Sequence, residues 1–223
     1  MKKANRLPGF FYLGMVIFGV CAQIIRSNII VFVDDIDTWA KLGNSIFALR
    51  LAFVSDILMT LFYVLTAWAL YNALKQFDKN LSLLFLLLAA VSAAVLCSNM
   101  IHFFAIIEMN QAEYFSSDNL QNQKQAVQFF FNMYDKGYYS SQLFFGLWLL
   151  PIGLIILKFK IMPAYFGIML IAATAAHIIE FFIVFLYPKG AVITYPGLVI
   201  GMLGEFSFCF WLLFRGLSKE PDK

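Results

Sequence analysis

The sequence predicts an all-α fold: a polytopic membrane helix bundle of six transmembrane helices, with the N-terminus and C-terminus both cytoplasmic. Three observations predict it. Of 223 residues, 62% are hydrophobic and only 13% charged, with 26 Phe, where a soluble domain carries roughly a quarter charged residues. Six apolar runs reach the length of about 20 residues that a spanning helix needs, and mean hydropathy is +0.80. The basic residues also collect on alternate connecting segments. Such a composition excludes a soluble enzyme, a nucleic-acid binder and a disordered regulator, since no basic run or polar domain exists to support them. The net charge of +3 reflects membrane topology and no nucleic-acid partner.

The spans fall at about 8–32, 44–74, 82–109, 123–158, 161–187 and 193–216, within a single integral membrane domain of residues 1–223 without internal repeats. Asp34, Asp35 and Asp37 close the first, and Gln76-Phe77-Asp78-Lys79-Asn80 divides the second from the third. The polar stretch from Asn110 to Gln125 precedes the fourth. Pro163 stands near the start of the fifth, where its missing N–H costs little, and Pro188-Lys189-Gly190 ends that helix. Several spans exceed the minimum, which calls for tilt or extension beyond the bilayer. Met1 to Ala22, with its basic start and Val20-Cys21-Ala22 ending, has the outline of a cleaved signal. The apolar run continues to Val33, so an uncleaved first helix is expected. Cys21, Cys97 and Cys209 lie in apolar runs, odd in number and without CxxC spacing, and read as small buried hydrophobes.

Cytoplasmic loops carry an excess of Lys and Arg. With the N-terminus inside, the inner segments hold ten: Lys2, Lys3, Arg6, Lys75, Lys79, Lys158, Lys160, Arg215, Lys219 and Lys223. The outer loops hold three, Lys41, Lys124 and Lys189, alongside the acidic Asp34, Asp35, Asp37, Glu113 and Asp118. Trp68, Trp148 and Trp211 are expected near the cytoplasmic interface.

Charge inside a membrane helix is expensive unless it is paired or used, yet every helix carries polar residues at helical spacing. The first has Tyr12, Gly19, Gln23 and Arg26, and the second Arg50, Asp56, Thr60, Tyr63 and Thr66. The third offers Ser92, Asn99 and His102, and the fourth Asn132, Asp135, Tyr139, Gln142 and Gly146. In the fifth, Thr174, His177 and Glu180 share a face; in the sixth, Glu205 stands between Gly201, Gly204 and the following apolar turn. Odd helices run outward and even helices inward. Arg26, Arg50, Asp56, Asn99, His102, Asp135, His177 and Glu180 are therefore expected in the outer half. Glu205 falls near mid-membrane, on the order of 15–20 Å below its helix start. One charged site facing the outer half follows, in which Arg26, Arg50 and Lys136 nearly balance Asp56, Asp135, Glu180 and Glu205. Arg50 and Asp56 stand about 120° apart on an ideal helix. The expected pairings are thus Arg50 with Asp135 or Glu180, and Asp56 with Arg26.

Four chemistries suit such a site. Arg26 and Arg50 would clamp the phosphate or carboxylate of a lipid or lipophilic anion, with phenylalanines around its chain. This is the leading expectation, with Asn99, Asp135, Tyr139, Glu180 and Glu205 completing the site. His102 and His177 with a carboxylate such as Asp56 would make a three-ligand zinc site for a metal-dependent hydrolase of lipid esters or amides. Haem between the two histidines is a weaker option, since four carboxylates make a poor bed for it. The last is a structural or accessory subunit, with Gly19, Gly146, Gly201 and Gly204 marking close helix packing. Membrane lipids, a membrane-protein partner or a second copy of the chain are the partners these readings call for.

Several stretches carry a resemblance. They are Arg6-Leu7-Pro8-Gly9-Phe10-Phe11-Tyr12, Arg50-Leu51-Ala52-Phe53-Val54-Ser55-Asp56 and Phe144-Phe145-Gly146-Leu147. The turn to Met162-Pro163, and Gly204-Glu205 followed by Trp211-Leu212-Leu213, continue it. Together they resemble a bacterial family of multi-pass membrane proteins known only as a domain of unknown function. The resemblance covers nearly the whole chain, with Arg-x-x-x-x-x-Asp and the last Gly-Glu as its most specific marks, and His177 lies outside it. It implies a multi-pass fold in the bacterial cytoplasmic (inner) membrane and no activity.

Overall fold

The structure is a computed structural model that describes residues 5–29, 42–110 and 120–217. Lys2, Lys3, Asp34, Asp35, Asp37, Lys41, Glu113, Asp118, Lys219 and Lys223, on which part of the sidedness argument rests, lie outside the described residues.

The protein is all-α. Among the described residues, six long helices run in order: α1 (Leu7–Ile29), α2 (Ile46–Leu74), α3 (Lys79–Asn110), α4 (Leu120–Phe159), α5 (Ala164–Leu186) and α6 (Tyr195–Phe214), with a 3-10 segment, Pro188–Thr194, before the last. They match the six expected spans to within a few residues. Five of them, α1 to α5, are long and apolar enough to cross a membrane, and Val199–Phe214 is a shorter apolar helix. The bundle is that of a multi-pass membrane protein. Its helices keep large apolar side chains outward, among them Phe47, Ile101, Leu186 and Phe214, a surface that only lipid or another apolar partner would cover.

Local chemistry sets the helix ends. Asn5 Oδ1 accepts a hydrogen bond from Leu7 N–H at 3.1 Å, and Pro8 in the first turn has no donor to lose. Phe159 ends α4 because Lys160 takes a left-handed φ of 51°, the conformation that closes many helices. Pro163 then caps α5. Gly216 does the same for α6 at φ 69°, and its N–H reaches Trp211 O at 3.2 Å. Asn5 and Leu217 exchange backbone hydrogen bonds of 3.2 and 3.1 Å. All three cysteines are free; Cys209 is buried as expected, whereas Cys21 and Cys97 are exposed.

The chain folds as two compact units. The first comprises Met1–Gly14, Phe62–Ala94 and Tyr139–Lys223; the second comprises Met15–Leu61 and Val95–Tyr138. In the first unit, glycines let helices meet closely. A Cβ on Gly9 would stand 2.6 Å from the Leu213 backbone, and one on Gly153 would stand 2.9 Å from Gly167 O. The second unit is built around Leu42, Leu49, Ala52, Met100, Phe103, Ile106 and Ile107.

Asp78 closes the turn between α2 and α3. Its Oδ1 accepts from Leu81 N–H at 3.1 Å, as an N-cap should, and Oδ2 accepts from Lys158 Nζ at 3.0 Å. The Leu81 hydrogen bond first, and then Lys158, hold this carboxyl below the usual carboxylate range. Because its pKa is lower in the folded state, its contribution is present above the unfolded value of about 4 and fades as pH falls through the folded one. Asp78→Asn can still cap the helix. Melting temperatures across an acid series should therefore show the wild-type advantage over Asp78→Asn shrinking towards zero at the acid end.

Candidate functional site

The residues expected to share one site belong to two groups, each held within its own unit. Arg26, Arg50, Asp56, Asn99, His102 and Asp135 lie in the second unit, while Tyr139, His177, Glu180 and Glu205 lie in the first. Depth counted from helix starts could rank the residues along each helix but not say which faces meet.

In the second unit, Arg26 pairs with Asp56, as expected from their charges, through Nη1 and Oδ2. Arg26 Nη2 also donates to Gln23 Oε1 at 3.2 Å. The guanidinium lies 5.7 Å from the centroids of both Phe103 and Tyr134, a cation–π arrangement. Around it runs a polar chain: Asn99 Nδ2 donates to Tyr134 O at 2.8 Å, and His102 Nδ1 stands 3.1 Å from Asn99 Oδ1. Gly137 makes room for this, because a Cβ there would fall on the Asn99 amide oxygen.

Arg50, expected to meet Asp135 or Glu180, has Glu108 beside it. Arg50 Nη2 lies 3.5 Å from Glu108 Oε1, both about half exposed. Asp135 pairs with the adjacent Lys136 at 3.1 Å, again half exposed, and Glu180 lies in the other unit against His177. Six residues of helix turn Arg50 away from the buried stripe that Asp56 occupies, which the 120° separation already implied.

The first unit holds the more unusual group. Tyr12 OH, fully buried, donates to Glu205 Oε2 at 3.0 Å. His177 sits between two carboxylates, with Nδ1 3.7 Å from Glu180 Oε2 and Nε2 3.9 Å from Glu205 Oε1. Both distances are longer than a hydrogen bond but within ion-pair range of the two acids. Gly146 positions it: a Cβ on Gly146 would lie 2.8 Å from His177 Cγ. Thr174 Oγ1 ties the same place down by donating to Gly146 O at 2.9 Å.

Aromatic rings border the group. Trp148, 0% exposed, meets Tyr63 at 5.0 Å, Phe145 at 6.1 Å, Tyr12 at 6.2 Å and Phe85 at 6.4 Å between centroids. Phe145 in turn packs edge-on against His177 at 5.9 Å. Trp148, expected near the cytoplasmic interface, is the centre of a buried aromatic cluster. Four polar atoms here are buried without a hydrogen-bond partner: Tyr63 OH, Gln142 Oε1, Trp148 Nε1 and His177 Nδ1. The polar stripes of α2 and α4 contained Tyr63 and Gln142; nothing in the sequence signalled that their polar atoms lack partners.

Among the described residues, no three of His, Cys, Asp and Glu are gathered as a metal ion would need. Of the expected zinc ligands, His102 and Asp56 belong to the second unit and His177 to the first.

The family described as "Domain of unknown function (DUF4386)" matches residues 7–216, and the chain belongs to it. No curated protein and no solved structure matches the chain.

Proposed function

We propose, for this DUF4386 protein of unassigned activity, that it binds a lipophilic small molecule in the first unit, with the polar end of the ligand against Tyr63, Gln142, Trp148 and His177. The observation that carries this reading is the set of four buried polar atoms without partners. Leaving one such atom unsatisfied costs about 1–3 kcal/mol. Four in one neighbourhood mark a place that a ligand or its bridging water completes. The surrounding rings of Tyr63, Phe145 and Trp148 suit the apolar body of such a molecule.

The reading departs from the anion clamp suggested by the charges alone. Arg26 is already neutralised by Asp56, so its guanidinium is not available to a phosphate or carboxylate, and Arg50 is half exposed beside Glu108. The zinc hydrolase lacks a gathered ligand set among the described residues. The accessory-subunit reading explains the close glycines but not the unpartnered atoms. With the basic residues on alternate segments, the proposal places the protein in a bacterial cytoplasmic membrane with both ends inside. Membrane lipids are its pool of ligands.

Native mass spectrometry of the protein in a neutral maltoside detergent tests this. The expected result is a retained small molecule on the wild type, reduced at least about tenfold in Gln142→Leu and His177→Leu. Equal occupancy in all three would overturn the reading. Stoichiometric zinc lost in His102→Ala would replace it with the hydrolase.

A further inference from the structure

We propose that the polar end of this ligand is an organic cation, an amine bound as its ammonium; the inference rests on the lipophile reading above and names its chemical class. The first argument is charge. Glu180 and Glu205 are largely buried, and His177 is their shared neighbour. Among the described residues neither pairs with a Lys or Arg. Two buried acids thus share one imidazole with no cationic side chain beside them, an arrangement that an interior tolerates poorly unless a partner completes it.

The second argument is that the protein solves the same problem elsewhere with a cation. In the second unit, the buried Asp56 carboxylate is met by the Arg26 guanidinium, which lies over the Phe103 and Tyr134 rings. The first unit repeats the ingredients, with Tyr12 on the Glu205 carboxylate and packed against Trp148, and Phe145 against the His177 between the acids, but among the described residues no guanidinium or ammonium pairs with these carboxylates. Aromatic faces beside carboxylates recognise ammonium groups. The remaining geometry agrees. His177 stands 3.7 and 3.9 Å from its acids, beyond a hydrogen bond, so it leaves acceptor positions on both carboxylates, and Gln142 Oε1 is a buried acceptor without a donor. Trp148 Nε1 is itself a donor and is served by an oxygen, on the ligand or on water, and not by the nitrogen.

The test compares octylamine, octanol and octanoate on the wild-type protein in neutral detergent, read by tryptophan fluorescence and corrected for partition into the micelle. Octylamine is expected to bind about tenfold more tightly than octanol, the scale of one charge-assisted hydrogen bond. Octanoate should bind most weakly. Glu180→Gln and Glu205→Gln should each remove most of the amine's advantage over octanol. Octanol or octanoate binding as well as the amine would overturn the cation and leave the lipophile reading intact. No binding of any probe to the folded protein would overturn that reading as well. The wild-type comparison decides the proposal even where a variant fails to fold.

Discussion

Arg26→Ala should lower stability by about 3–5 kcal/mol, the cost of removing one partner of a buried ion pair. The Asp56 side chain is 4% exposed, and among the described residues Arg26 is the one group that meets its carboxylate. Thr60 Oγ1 donates to the backbone carbonyl of Asp56 and not to the acid. Truncating the arginine therefore leaves a bare carboxylate in a buried place. Arg26→Lys keeps the charge but loses the planar fork over two rings, so it should recover only part of the loss. Arg26→Leu with Asp56→Leu should recover most of it, because apolar replacements of both partners are often neutral. Melting temperatures in detergent for the two single variants and the double variant give the coupling. Arg50→Ala, by contrast, should change stability by no more than about 1 kcal/mol, as half-exposed pairs do.

Trp148→Ala should cost a similar amount, about 3–5 kcal/mol, because it empties the centre of a buried aromatic cluster. Tyr12, Tyr63, Phe85 and Phe145 all lean on this ring, and rigid neighbours on four sides limit how far the space can close. Trp148→Phe retains most of the volume and deletes an unpartnered N–H, so a loss below about 1.5 kcal/mol is expected. Thermal unfolding of the two variants checks this. A Trp148→Ala protein as stable as Trp148→Phe would mean that the ring is not the packing centre described above.

The helices were legible in the sequence because burial in lipid imposes long apolar runs, and Pro163 and Pro188 punctuate them whatever the tertiary contacts. Pairing Asp56 with Arg26 was legible for the same reason: two opposite charges on neighbouring apolar helices have few other partners. Which face of a helix meets which was not legible. Tyr12 belonged to a polar stripe in α1, but that its hydroxyl would reach Glu205, 193 residues away, depends on how closely helices approach. Glycines set that approach, and Gly146 against His177 reads in sequence like any other small residue. The full burial of Trp148 was not legible either, because an indole near the inner end of a span is more often an interfacial anchor than a core ring. The unpartnered atoms of Tyr63, Gln142 and His177 emerge only when every neighbour is in place.

Photo-crosslinking tests the ligand site most directly. A diazirine-bearing alkylamine would be irradiated with the detergent-purified protein, and the labelled residues mapped by peptide mass spectrometry. The expected result is labelling concentrated on the segments around Tyr63, Phe145 and His177, suppressed by excess octylamine and weakened by Glu205→Gln. Labelling confined to outward residues such as Phe47, Ile101 and Phe214, and indifferent to both competitor and variant, would contradict it and leave the buried charges as architecture.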